Sequence, residues 1–261
     1  MNDVLKKVYG WMSIGLLLTF VTAYVVASSS NMINAIFNSS LVWILPIIEI
    51  ILVIYLSVRV TKMNPTTARI VFLIYSFVTG LTFSTIFITY EMASIVYVFL
   101  ITALVFGALA FVGYTTKVDL TKAGTYLMIG LFGIIICALI NLFIGNGMFE
   151  IIICSISILI FLGFTAYDVQ KINQLSNYIE EDNLAIYGAL TLYLDFINIF
   201  IDLLRLYSVV TKLTISVLKE IGYETYKKAA WFFLSRNLTA FQIMTKKPIE
   251  FFVYKYIKIY S

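Results

Sequence analysis

Gly188-Ala-Leu-Thr191-Leu-Tyr-Leu-Asp195-Phe-Ile-Asn198-Ile-Phe-Ile-Asp202 is the stretch that decides what kind of protein this is. Gly188, Thr191, Asp195, Asn198, Asp202 and then Arg205 recur at alternating steps of three and four. On a helix they form one stripe of small and polar residues, and Leu, Ile, Phe and Tyr cover the rest. An apolar outside and a polar inside belong to a helix enclosed by other helices in a bilayer. An ionised side chain at the membrane centre costs about 2.5 to 3.5 kcal/mol on insertion scales, so Asp195 calls for a partner, a water path or a task.

The rest of the chain agrees. Its 261 residues are 61% hydrophobic and 12% charged, with a mean hydropathy of +0.98, too little polar surface to cover a soluble globule. Apolar windows long enough to cross a hydrocarbon core of about 30 Å fall near residues 8–28, 41–58, 69–90, 94–114, 123–145, 149–167 and 184–206. The expected fold is an all-α integral membrane protein: one seven-helix bundle over 1–208, followed by a basic, aromatic extension over 209–261. The first window follows Lys6 and Lys7 and ends in Val25-Val26-Ala27, which imitates a signal peptide, but six further windows favour a retained anchor. Cys137 and Cys154 lie inside windows and read as small hydrophobes. There is no histidine, so a response to pH near neutrality must come from carboxyl groups. Ala103, Gly107 and Ala110, with Gly130 and Gly133, are expected to let helices approach closely.

Lys6, Lys7, Arg59, Lys62, Arg69, Lys117, Lys122 and Lys171 all fall at alternate connections, and connections 29–40, 91–93 and 146–148 carry no Lys or Arg. The positive-inside rule therefore puts the N-terminus in the cytoplasm. From Arg205 to Ser261 the net charge is +7, against −3 for residues 1–204. A simple seventh crossing places that basic tail outside, against the same rule: either the last helix does not fully cross, or the tail crosses back, or the rule fails here. Trp231-Phe-Phe-Leu234 and Phe251-Phe-Val-Tyr254, interleaved with lysines, suit a helix on an anionic lipid surface, with an unstructured basic extension as the alternative.

Glu49, Asp168, Asp195 and Asp202 are the carboxylates in or at the edge of the windows, with Arg59 and Arg205 at helix ends. Asp168 closes the sixth window in Gly163-Phe-Thr-Ala-Tyr-Asp-Val-Gln-Lys-Ile172, and meets Asp195 if the last two helices are neighbours. Two like charges in a poorly hydrated site do not both ionise easily, so such a pair shares a proton over part of the pH range. When protonated it locks the helices by a hydrogen bond; when doubly charged it opens or captures a cation. Taken singly, Asp168 also reads as a watered helix end, and Asp195 as a buried acid paired with an arginine for packing specificity. Arg59 is the expected counter-charge, since its helix also carries Glu49 and ends on the same side. Pro46 removes a backbone donor just before Glu49. Glu49, Asp195 and Asp202 thus line a possible cation path, with Asp195 and Glu49 as weak calcium ligands. Calcium takes about six to eight oxygens, so a few carboxylates with water make a site loose enough for permeation. Arg205, three residues after Asp202, also reads as its local helix partner. Asp119 belongs to a loop in which Thr121 is the expected cap of the next helix.

Several stretches, in order, resemble the Bax inhibitor-1 family, also called the transmembrane Bax-inhibitor-motif family, in its bacterial form. They are Gly80-Leu-Thr-Phe-Ser84, Phe106-Gly-Ala-Leu-Ala-Phe-Val-Gly-Tyr114 with Thr116-Lys-Val-Asp-Leu120, Ala166-Tyr-Asp-Val-Gln170, and Leu190-Thr-Leu-Tyr-Leu-Asp-Phe-Ile-Asn-Ile-Phe200 with Leu203-Leu-Arg205. The resemblance implies a bundle with a central last helix and a pH-dependent calcium leak. It further implies that Asp168 and Asp195 form the sensor, that Arg59 is the gating arginine and that Glu49 is the acidic residue of the second span. It carries nothing over to the chain beyond about residue 208. The expected setting is a bacterial cell membrane, with lipid, calcium as the permeant ion and membrane proteins as partners, no nucleic acid and no tightly bound cofactor.

Two other functions compete. An intramembrane aspartyl protease also needs two aspartates on adjacent helices, one after tyrosine as in Tyr167-Asp168. Its second aspartate stands in Gly-x-Gly-Asp, and a Pro-Ala-Leu element follows, whereas Asp195 follows Leu192-Tyr-Leu and the only prolines are Pro46, Pro65 and Pro248. The chain is therefore read as a non-enzyme. The second competitor is a non-conducting regulator of a membrane protease or another membrane complex, and a polar stripe on a central helix favours a path or sensor over it.

Overall fold

The computed structural model describes residues 3–221, with side-chain environments through residue 215. All the described secondary structure is helical: α1 Asp3–Ala27, α2 Ser30–Phe37, α3 Leu41–Arg59, α4 Pro65–Thr89, α5 Met92–Thr115, α6 Thr121–Ile144, α7 Gly147–Leu175 and α8 Glu181–Ile221. Seven of these, all except α2, are long and apolar enough to cross a membrane. They coincide with the seven windows read from the sequence, because hydropathy and bilayer thickness set span length without reference to folding. The short α2, within the 29–40 connection, was not anticipated.

Local chemistry explains the boundaries. Asn64 accepts from the Thr66 amide at 2.9 Å ahead of Pro65, a capped start with proline in the first turn. Gly145 takes the left-handed conformation that ends α6 (φ 66°), and Asn146 caps α7 through the amides of Met148 and Phe149. Helix α3 runs unbroken through Pro46. The cap before α6 is not Thr121: Asp119 Oδ1 accepts from the Thr121 amide at 2.9 Å and from its hydroxyl at 2.6 Å. Those two bonds hold the Asp119 carboxyl below its ordinary value.

The chain divides into two compact units, Met1–Ser208 and Val209–Ser261. In the first, α4 packs against α1 and α3, and α7 packs against α5 and α6. Helix α8 stands between the two groups. Gly188 lies against Val8 of α1 and Ile172 of α7, Tyr193 meets Phe72 and Tyr75 of α4 edge-on, and Phe196 meets Phe99 and Phe106 of α5. In the most apolar 18-residue stretch of α8, 72% of residues are buried, against 33% or less in each other span and none in α6. The last helix is thus the core, and lipid is what remains to cover residues such as Leu142 and Phe143 of α6. In the second unit the described part is the end of α8. The aromatic clusters at 231–234 and 251–254 lie outside the described residues.

Of the small residues read as close contacts, Ala110 is buried in the core and Ala103 packs against it, but the glycines do not follow. Gly107 and Gly133 face open space, and Gly130 meets only the tip of Ile160. The intimate approaches are at Gly15, Gly80, Gly113, Gly124, Gly163 and Gly188, and those at Gly113 and Gly124 build the site.

Candidate functional site

The turn Ala166–Gln170 of α7 is gripped from three sides. Gly113 of α5 packs directly on the Ala166 carbonyl, where a methyl group would collide, and Gly124 of α6 lies under the Tyr167 ring. Gln170 reaches the α5–α6 loop with both ends of its amide: Nε2 donates to the Val118 carbonyl at 2.8 Å, and Oε1 accepts from the Leu120 amide at 2.9 Å. The matching sequence pieces in α5, the loop and α7 are therefore one contact set, and Asp168 sits in its middle.

Asp168 is half-buried, and its charge bears on Asp195 of α8. Asp195 is only 4% exposed, and its Oδ2 is buried with no hydrogen-bond partner among the described residues. A buried carboxyl oxygen left unpaired costs about 1 to 3 kcal/mol, more when charged, so this atom stands ready for a proton, a water or a cation. The stripe otherwise satisfies itself locally: Thr191 donates to the Gly188 carbonyl at 3.1 Å, and Asn198 to the Leu194 carbonyl at 2.7 Å.

The sequence-predicted partners fall elsewhere. Arg59 is exposed at the end of α3 and makes no ion pair with either aspartate among the described residues. The cation whose charge bears on Asp168 is Lys171, one turn further along α7. Its Nζ sits 5.6 Å from the Tyr167 ring centre and 5.7 Å from that of Tyr187. The i, i+3 spacing of Asp168 and Lys171 was visible in the sequence; the tyrosines that hold the ammonium were not.

Glu49 is half-buried and accepts a short hydrogen bond from the Thr82 hydroxyl of α4. Its hydrogen-bond partner is thus on α4 and not on the central helix. Asp202 is half-buried against Ser157 of α7, and Arg205 acts on it without a close ion pair among the described residues. Beside it, a 290 Å³ cavity between α4 and α8 is lined by Thr82, Thr85, Thr89, Tyr90 and Arg205, among others. Among the described residues no three acidic or cysteine side chains converge as a metal cluster.

Sequence reasoning also missed an ionic knot at the N-terminal end of the bundle. Asp182 binds Arg69 Nη2 at 2.6 Å and Lys7 at 3.2 Å, Lys7 binds Glu181 at 3.0 Å, and Arg69 stacks on Trp11. Asn183 donates to the Met63 carbonyl at 3.0 Å. The two acids in the first turn of α8, beside the positive end of a helix dipole, were the available signal.

Residues 1–212 match the protein family described as inhibitor of apoptosis-promoting Bax1. An uncharacterized protein of Borreliella burgdorferi is 42% identical over 210 residues, covering 78% of this chain and 90% of its own. Inner membrane protein YbhL of Escherichia coli K12 is 41% identical over 214 residues, covering 79% and 92%. An uncharacterized membrane protein of Streptococcus pyogenes serotype M1 is 36% identical over 213 residues, covering 79% and 93%.

Proposed function

The chain belongs to the Bax inhibitor-1 family, and we propose that within it this protein is a pH-sensitive leak for cations, calcium among them, gated by the Asp168–Asp195 pair. One observation carries the reading: the unpartnered Oδ2 of Asp195, buried in the central membrane helix. When one proton is shared, the two carboxyls attract and α7 stays against α8. When both are ionised they repel, and the site either opens or takes in a cation. Calcium is read as the permeant ion, held loosely by few protein oxygens, and not as a bound cofactor. In this reading the half-buried Glu49 and Asp202 extend the path beyond the pair. The leak is not an enzymatic activity. The same charge pattern supports a cytoplasmic N-terminus in a bacterial membrane.

The test is calcium uptake into dye-loaded proteoliposomes at about pH 6 and about pH 8, on either side of neutrality, for the wild type and Asp195→Asn. Flux that changes with pH in the wild type and loses that dependence in the folded variant is the expected result. No flux above empty liposomes from folded protein would sink the leak and favour a non-conducting regulator of a membrane complex.

A further inference from the structure

A crevice of about 460 Å³ opens between α1, α4 and α5 and reaches α8. Its mouth is formed by residues exposed on the outside of the bundle, Leu17 and Phe20 of α1 with Val96 and Leu100 of α5. Its floor is Phe196, Ile197 and Phe200, buried side chains of the central helix. Two hydroxyl residues also line it: Thr19, whose hydroxyl is spent on the Ser76 carbonyl at 2.9 Å and on Tyr193 at 2.7 Å, and the exposed Ser13.

Its position selects the occupant. The α4 lining comes from Phe83, Ile86 and Phe87, in the last two turns before Thr89, and the α5 lining from Ile95–Leu100, in the first turns after Met92. The crevice therefore starts beside the α4–α5 connection, where the helices leave the hydrocarbon layer, and runs inward along α1 and α5. A lipid standing with its headgroup at that connection has a chain pointing down the crevice. A water-filled crevice is disfavoured, because apolar walls offer water too few of the two to four polar partners it needs. A soluble ligand has no access from the bilayer side.

We propose that this crevice is a binding site for one acyl chain of a bilayer phospholipid, seated against Phe196 and Phe200 of the central helix. The site is independent of the leak: it stands or falls whether or not the protein conducts. It places a lipid chain against the residue that follows Asp195, so lipid composition has a direct contact with the helix that carries that aspartate.

A phospholipid with a photoactivatable diazirine on its acyl chain, in vesicles containing the full-length protein, tests it. Lipid merely surrounding the bundle labels outward helices such as α6 and cannot reach the buried Phe196–Phe200 segment of α8. The expected result is label on the α8 peptide containing Phe196–Phe200 as well as on α6. In Val96→Trp and, separately, Leu17→Trp, which fill the mouth from exposed positions, the α8 label falls to background while the α6 label persists. Label confined to outward helices in the wild type would overturn the proposal. So would α8 label that both tryptophan variants leave unchanged, or α8 label obtained from a free fatty acid probe but not from the phospholipid.

Discussion

The Tyr193 hydroxyl lies 2.7 Å from Thr19 Oγ1, joining the most deeply buried tyrosine of the central helix to α1 two residues before Asp195. Thr19 spends its single proton on the Ser76 carbonyl at 2.9 Å, so Tyr193 must be the donor in this pair. The bond, with the edge-on packing of Phe72 and Tyr75 around the ring, fixes the rotation of α8 and hence the direction in which Asp195 points. Tyr193→Phe keeps the ring and loses the bond, at a cost of about 1 kcal/mol. Tyr193→Ala also opens a cavity and costs about 3 to 5 kcal/mol. Thermal unfolding of the two purified variants checks the order; equal losses would mean that the ring contributes nothing beyond the hydroxyl.

Gly113→Ala and Gly107→Ala make a matched pair six residues apart on α5. The first drives a methyl into the Ala166 carbonyl and must push α5 from α7, costing about 1 to 3 kcal/mol; the second meets open space. We expect Gly107→Ala to unfold like the wild type and Gly113→Ala to lose stability together with the pH response of flux, since Asp168 rides on the displaced turn.

Gln170→Leu removes both bonds to the α5–α6 loop and leaves the Val118 carbonyl and the Leu120 amide unpaired. Hydrogen exchange at Leu120 should accelerate in this variant while exchange in the middle of α8 stays slow. Unchanged exchange at Leu120 would show that the loop is held by something other than the glutamine.

Lys171→Met removes the cation beside Asp168 and preserves an apolar stem between Tyr167 and Tyr187. Without that charge the flux profile of Lys171→Met should differ from that of the wild type, whereas Lys171→Arg, which keeps the charge, should leave it in place. A profile for Lys171→Met that superimposes on the wild type would remove Lys171 from the electrostatics of the site.

Asp119 supplies a pH control with the opposite location. Its carboxyl is held below the ordinary 3.8 by its bonds from Thr121, so its contribution to the α6 cap is complete above that value and is lost as pH falls through the lower folded one. Asp119→Asn should therefore leave the flux profile between about pH 6 and pH 8 unchanged, because this carboxylate stays ionised throughout that range. A shift of the profile there would implicate the loop in gating.

What could be read without a structure was whatever depends on neighbours along the chain. The seven spans follow from apolar length set against the thickness of the bilayer, and the Gly188–Arg205 stripe follows from helical period; both are sums over local sequence. That the last helix is central was legible, but its burial is not that of the stripe: Leu190, Leu192, Tyr193 and Ile199 are fully buried, whereas Thr191, Asn198 and Asp202 are half-buried and Arg205 is exposed. Which residue answers which was decided only by packing. Each residue turns the helix by about 100°, so a small rotation or slide of one span exchanges its partners entirely. That is why the charge acting on Asp168 is Lys171 and not Arg59, why Glu49 pairs with Thr82, and why Gly113 and Gly124 meet α7 closely while Gly107 and Gly133 stand free.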